Sequence, residues 1–119
     1  MNGLVINLTH SIDDPDRTSV AMVVAGAAVA SNQTTSVFLS SEGTRLASQG
    51  VAQGLHEEGF APLGELVSAF VDAGGTFLVC SPCAKKRSIG EDDLIEGASI
   101  VGGATLVALL ADGAASLSF

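Results

Sequence analysis

The chain has 119 residues, a formal net charge of −8 and 15% charged residues, against roughly 25% in an average soluble domain. This length fits a single domain, residues 1–119, with one hydrophobic core. Five Lys and Arg residues cannot neutralise a nucleic-acid backbone well, which argues against nucleic acid as a partner. So few charges also predict a homo-oligomer, in which copies of the chain cover part of the apolar surface.

The N-terminal sequence MNGLVINLTH lacks the charged region and long apolar core of a signal peptide. No apolar run approaches the 18 or so residues of a membrane span, so no membrane partner is expected. We therefore predict a cytoplasmic protein. In that reducing compartment, two cysteines three residues apart are expected to be catalytic, redox-active or metal-binding rather than a structural disulfide.

The first half of the chain predicts two strands and a long helix. The apolar run 3–8 indicates a strand, and the turn-rich SIDDPDR segment that follows indicates a loop. The Ala-rich segment from about 18 to 31 favours a helix packed against a sheet, and the β-branched run 34–39 favours the second strand. A short helix is expected to begin within 41–44.

The second half continues the alternation after a loop over 50–60, where three glycines interrupt any pattern. A helix is predicted over 62–74, with a proline at its start and a glycine at its end. The remaining predicted elements are a strand over 76–80, a short helix from Pro82, a helix over 98–111 and a strand over 115–119.

Strands that alternate with helices predict an α/β fold with a mainly parallel sheet, right-handed crossovers and helices on both faces. Functional groups of such sheets gather at the carboxyl ends of the strands. Three predicted strands deliver polar side chains to that edge. The candidates are Thr9 and His10 after the first strand, Ser40, Ser41 and Glu42 after the second, and Cys80 to Cys83 after the third.

The segment FLVCSPCAKKR, residues 77–87, holds both cysteines and three of the five basic residues. Cys80 ends a predicted strand, and Ser81 is a candidate cap for the helix that begins at Pro82. Lys85, Lys86 and Arg87 add positive charge within one or two turns. A helix N-terminus and nearby cations both favour the thiolate, the nucleophilic form of cysteine.

Several other interpretations of the two cysteines remain open. Cys80 can be a small buried apolar residue without chemistry. A thioredoxin-like dithiol fits the C-x-x-C spacing but lacks the downstream cis-proline of that fold, because no proline follows Cys83. A zinc site needs four ligands, and one chain supplies only the two cysteines with His10 and His56, so it requires a site shared between subunits.

Phosphate and cation sites have weaker support, and we predict neither a cofactor nor a metal. The sequence has no G-x-x-x-x-G-K-[ST] motif, and no G-x-G-x-x-G motif follows the first strand. The acidic residues Asp13, Asp14 and Asp16 are interpreted as helix-capping and solvated acids near Arg17.

Taken together, these segments resemble the DsrE/DsrF-like family of sulfur-relay proteins over essentially the whole length. The matching stretches are VINLTH with DDPDR, TTSVFLSSEG, FLVCSPCAKKR, DLIEGA and the closing strand. The resemblance implies a flavodoxin-like three-layer α/β/α sandwich of four to five mainly parallel strands. It also implies trimers, hexamers or mixed hexamers. Many members have Gly after the arginine, whereas this chain has Ser88.

By the same resemblance, Cys80 is the persulfide-carrying cysteine and Arg87 the basic residue that follows it. Cys83 corresponds to a cysteine of some branches only. The resulting hypothesis is a small sulfur-relay protein, a possible sulfurtransferase, with sulfur donor and acceptor proteins as partners. His10 is a candidate proton-exchange group, and the candidate binding residues are Arg87, Ser81 and Glu42. The alternatives are a non-catalytic homo-oligomeric scaffold and a Cys80/Cys83 dithiol redox protein.

Overall fold

The computed structural model describes residues 3–119, and within that range the chain forms an α/β fold with a five-stranded sheet. The strands are β1 (Leu4–Leu8), β2 (Thr35–Leu39), β3 (Thr76–Cys80), β4 (Ala98–Val101) and β5 (Ala115–Ser118). The helices are α1 (Pro15–Ala30), α2 (Leu63–Asp72), α3 (Ser81–Lys86) and α4 (Gly103–Ala111). Short 3₁₀ helices cover Ser41–Ala47, Ala52–Gly54 and Glu91–Asp93.

The sheet has the strand order β4-β3-β2-β1-β5, and every pair of neighbouring strands is parallel. The chain steps in one direction from β1 to β4 and then returns across the sheet to β5. With right-handed crossovers, α1, α2 and α3 lie on one face and α4 lies on the other. The parallel α/β sheet predicted from the alternation of elements is thus confirmed.

The hydrophobic core lies between the sheet and the pair α1 and α2, which pack against each other. Alternate residues of the central strands point into it, as the two-residue period of a strand requires. Two phenylalanines anchor this core. The rings of Phe70 on α2 and Phe77 on β3 meet edge to face, with centroids 5.2 Å apart, and both are fully buried.

One predicted element was wrong. The continuous helix expected over 98–111 is in fact β4, the extended residue Gly102 and then α4. The strand forms because Phe77–Cys80 of β3 offers it a parallel partner, with Phe77 opposite Ala98 and Cys80 opposite Val101. This error concealed the fifth strand of the sheet.

Other predicted elements differ at their ends. Helix α1 begins at Pro15 rather than near 18, because the Asp14 side chain caps it by accepting the Arg17 backbone N–H at 3.0 Å. The helix predicted over 62–74 ends at Asp72, and Gly74 follows with φ +98°. The segment 50–60 is irregular apart from the 3₁₀ turn Ala52–Gly54.

Candidate functional site

The carboxyl ends of β1, β2 and β3 are adjacent because these strands are parallel neighbours. Three segments therefore meet at one edge: the loop after Leu8, the 3₁₀ helix Ser41–Ala47 and helix α3. Helix α3 packs against that 3₁₀ helix. The edge predicted from the sequence as the place where the candidate groups meet is therefore present.

The two cysteines lie on either side of the junction between β3 and α3. Cys80 is the last residue of β3, and Cys83 lies in the first turn of α3. Both are free thiols and both are partly accessible to solvent. Cys80 occupies the N-cap position and Ser81 is already helical, so the prediction that Ser81 caps the helix was wrong.

Arg87, just beyond α3, is held in place by two contacts and is only 11% exposed. Its Nε donates to Oε2 of Glu42 at 2.7 Å, and its Nη1 donates to the backbone carbonyl of Cys83 at 3.2 Å. The other carboxylate oxygen of Glu42, Oε1, accepts from Nε of Arg45 at 3.0 Å. Hydrogen bonds from Arg87 and then from Arg45 lower the pKa of Glu42. Glu42 thereby links the 3₁₀ helix to the end of α3.

Ser41 has an unusual backbone conformation at this edge. Its φ of +52° lies in the left-handed region, which costs a residue with a Cβ atom about 1–2 kcal/mol. The Ser41 carbonyl accepts the hydroxyl of Thr44 at 2.7 Å, and the carbonyl of Glu42 accepts the hydroxyl of Ser11 at 2.6 Å. These bonds support the turn that carries the Ser41 backbone N–H, which contributes to the lowered pKa of Cys83.

The two thiols differ in the charge state that their surroundings favour. Burial, and then the hydrogen bond that the Cys80 thiol donates to Cys83, raise the pKa of Cys80, against a weaker opposing hydrogen bond from the Cys83 backbone N–H. Burial also opposes ionisation of Cys83. There it is outweighed by hydrogen bonds from the Cys80 thiol and the Ser41 N–H and by the charges of Arg87 and Lys86, which lower the pKa of Cys83. The surroundings therefore shift the pKa values of the two thiols in opposite directions.

His10 is engaged by its own loop. Its Nδ1 lies 2.7 Å from Oδ2 of Asp13, while Oδ1 of Asp13 accepts the Ser11 backbone N–H at 2.9 Å. Partial burial opposes ionisation of Asp13, but these two hydrogen bonds outweigh it and lower the pKa of that carboxyl. Within residues 3–119, the hydrogen-bond partner of the His10 side chain is Asp13, and neither cysteine bonds to it.

Sequence reasoning missed three contributors to the site: Arg45, Ser11 and the backbone amide of Ser41. The three-residue spacing of Glu42 and Arg45 was a usable signal, because such pairs meet on a helical turn. The sequence carried no signal for the buried Ser11 hydroxyl or for the backbone angle of Ser41. Both depend on how the β1 and β2 loops pack together.

Within residues 3–119, no three His, Cys, Asp or Glu side chains gather closely enough to hold a metal ion. No helix of the described chain is both long and apolar enough to cross a membrane.

The fold and site define a class: a parallel α/β protein with a pair of thiols at the carboxyl edge of its sheet. The chain matches the family described as DsrE/DsrF-like over residues 3–119. It therefore belongs to the DsrE/DsrF-like family, and the predicted family is confirmed.

Solved structures agree with this fold. The ychN protein from E. coli superposes with a TM-score of 0.83 at 18% identity and full coverage of both chains. MTH1491, a protein of unknown function from Methanobacterium thermoautotrophicum, gives a TM-score of 0.70 at 18% identity, covering 98% of this chain and 97% of its own. These likenesses support the flavodoxin-like fold predicted from the family resemblance.

One curated relative is much longer than the part of it that this chain matches. The uncharacterized protein MJ0760 of Methanocaldococcus jannaschii is 29% identical over 103 residues, which are 87% of this chain. The matched part is 37% of MJ0760.

Proposed function

We propose that this chain is a sulfur-relay protein that accepts sulfane sulfur from a donor protein, carries it as a persulfide on Cys80 and passes it to an acceptor thiol. Membership of the DsrE/DsrF-like family suggests a relay of this type. The observation that carries the proposal is the thiol that closes β3 beside a second thiol and the anchored Arg87. A partly accessible pair of thiols, with pKa values shifted in opposite directions, suits nucleophilic exchange at sulfur.

The proposed chemistry needs no redox partner. A thiolate of the pair attacks the outer sulfur of a donor persulfide, R–S–SH, and the donor leaves as the thiolate R–S⁻. The sulfane sulfur keeps its oxidation state because one S–S bond forms as another breaks. Delivery is the same exchange in reverse, with the acceptor thiolate as the attacking group.

The first test is intact-protein mass spectrometry after incubation with inorganic polysulfide. Wild type and Cys83→Ser are expected to gain one sulfur, about 32 Da, as a persulfide. Dithiothreitol should remove this mass. In Cys80→Ser the sulfur remains on Cys83, where fragment ions locate it. The matched control is the double variant in which serine replaces both Cys80 and Cys83. An equal gain of mass by that variant would contradict the proposal.

A dithiol redox function is the second candidate, because Cys80 and Cys83 are free thiols in C-x-x-C spacing at the junction of β3 and α3. In that case wild type loses about 2 Da under oxidant while both single variants keep their mass. A protein that neither gains sulfur nor forms this disulfide would instead be a scaffold.

We also propose that copies of this chain associate through α4 and β5. No residue of Gly103–Ala111 is buried, although seven of these nine residues are apolar Ala, Val or Leu. Val107 is 65% exposed, and on the neighbouring element β5 Leu117 is 44% exposed. An apolar helix with so few charged residues around it is suited to contact the same surface of a second copy of the chain.

Charge placed on α4 is expected to separate the copies. Sedimentation should give wild type a mass several times the 11.9 kDa of one chain, and Val107→Asp with Leu110→Asp should give the monomer mass. The reason is that a buried unpaired carboxylate is costly at an interface. Val23→Asp is the matched control, since Val23 is 46% exposed on α1, on the other face of the sheet. A monomeric wild type would contradict the proposal.

A further inference from the structure

We propose that this chain has a second activity, the release of sulfide, in which Cys83 displaces the outer sulfur of a Cys80 persulfide and the two cysteines close a disulfide. The inference rests on the proposed relay function, because it begins from the persulfide on Cys80. It adds a second outcome for the carried sulfur, which leaves as sulfide when no acceptor thiol takes it up.

The placement of the two cysteines on α3 suits a disulfide. Cys80 is the N-cap residue of this helix, and Cys83 is its third residue. Helical geometry separates the Cα atoms of residues three apart by about 5 Å, and side chains at the N-cap and third positions reach toward each other. Disulfides join Cα atoms about 4.4–6.8 Å apart, so the two sulfur atoms can bond with little movement of the backbone.

The backbone that carries this pair is constrained at two points. Pro82 lies between the cysteines, and its ring fixes φ near about −65°. Arg87 donates from Nη1 to the Cys83 carbonyl at 3.2 Å and from Nε to Glu42 at 2.7 Å, which ties this turn to the segment after β2. A segment that is already ordered loses little conformational entropy when the disulfide closes.

Both cysteines can be reached from solvent. Cys80 and Cys83 are partly accessible free thiols, and the intervening Ser81 and Pro82 are exposed. Thiol–disulfide exchange depends on such access, because each step brings an outside sulfur atom to the pair or releases one from it. A donor persulfide and a thiol reductant can therefore both reach the site, and sulfide can leave it.

The sulfide-releasing step balances in atoms and electrons. The Cys83 thiolate attacks the inner sulfur of Cys80–S–SH, a bond forms between the two cysteine sulfurs, and the outer sulfur leaves as HS⁻ with the bonding electron pair. The sulfane sulfur is reduced to sulfide while the two cysteines are oxidised to a disulfide. Two molecules of a low-molecular-weight thiol, RSH, then restore the dithiol and become R–S–S–R. The chain would thus be a thiol-dependent reductase of sulfane sulfur.

Glutathione persulfide tests this activity, because transfer of its outer sulfur to the protein frees glutathione rather than sulfide. One equivalent added to wild type should first give a persulfide about 32 Da heavier, and then a protein about 2 Da lighter than the starting one. Sulfide, trapped with monobromobimane, should appear as the heavier species disappears. Cys83→Ser should keep the added sulfur and release sulfide at least about tenfold more slowly.

A second thiol at the wrong distance is the matched control. Cys83→Ser combined with Lys85→Cys keeps two thiols, and Lys85 is an exposed residue of α3. The Cα atoms of residues five apart in a helix are about 9 Å apart, too far for a disulfide, so this variant should behave as Cys83→Ser does.

The two proposals fail in different ways. Wild type that keeps its added sulfur as stably as Cys83→Ser, or a displaced thiol that releases sulfide at the wild-type rate, would overturn the sulfide-releasing activity and leave the relay function in place. If Cys83→Ser gains no sulfur at all, the relay function fails, and the present inference fails with it.

Discussion

Replacing Phe77 by alanine is expected to lower the free energy of unfolding by about 3–5 kcal/mol, out of a total of about 5–15 kcal/mol for a typical domain. Phe77 is fully buried in β3, and its ring meets that of Phe70 edge to face at 5.2 Å. The substitution removes an aromatic contact and leaves a cavity between the sheet and α2. Urea unfolding followed by circular dichroism at one fixed protein concentration measures the loss, because the proposed association of copies would make stability depend on concentration.

Phe60→Ala is the matched control for this experiment. The same atoms are removed from a half-buried residue of the loop before α2, so the loss should be less than half as large. Equal losses at Phe60 and Phe77 would mean that the edge-to-face pair is not a main anchor of the core. A double replacement of Phe70 and Phe77 should lose about 0.5–1.5 kcal/mol less than the sum of the singles.

Most of the fold could be predicted because the elements of this chain differ strongly in local pattern. The strand Thr76–Cys80 is a short apolar run between Gly75 and a Ser-Pro pair, and the predicted bounds coincide with the observed ones. The prediction for residues 98–111 was wrong for the opposite reason. A strand followed directly by an apolar helix reads as one apolar run, which periodicity cannot divide. The paired glycines Gly102 and Gly103 were the available sign of a break.

The position of the site could be predicted, but its electrostatics could not. Parallel strands bring their carboxyl ends together, so the meeting of Glu42 with the cysteine segment followed from the order of the elements. The ion pair between Glu42 and Arg87 joins residues 45 positions apart, and no local pattern encodes it. The pKa of Cys83 is lowered in part by the Ser41 backbone N–H and by the Arg87 charge, and no local sequence pattern encodes either contribution.

A glycine two residues from Ser41 connects the packing of the sheet edge to the pKa of Cys83. Gly43→Ala is expected to destabilise the protein by about 1–3 kcal/mol and to slow alkylation of Cys83 at pH 7 by about tenfold. A Cβ atom at Gly43 would overlap the carbonyl oxygen of Leu8, which ends β1 and already accepts the Ser40 backbone N–H at 3.2 Å. To relieve this overlap, the end of β1 and the 3₁₀ helix would have to move apart, which would break that hydrogen bond.

The displaced segment carries the Ser41 N–H, which helps to lower the pKa of Cys83, and the Glu42 carboxylate, which holds Arg87. If the 3₁₀ helix moves away from β1, the Ser41 N–H and the Glu42 carboxylate move with it, and the pKa of Cys83 should rise. Gly54→Ala is the matched control, because nothing lies within 4 Å of its added Cβ and it sits in the neighbouring 3₁₀ turn. It should leave stability within about 0.5 kcal/mol and alkylation unchanged. A Gly43→Ala protein that loses stability but alkylates Cys83 at the wild-type rate would show that Arg87 and Lys86 suffice without Ser41.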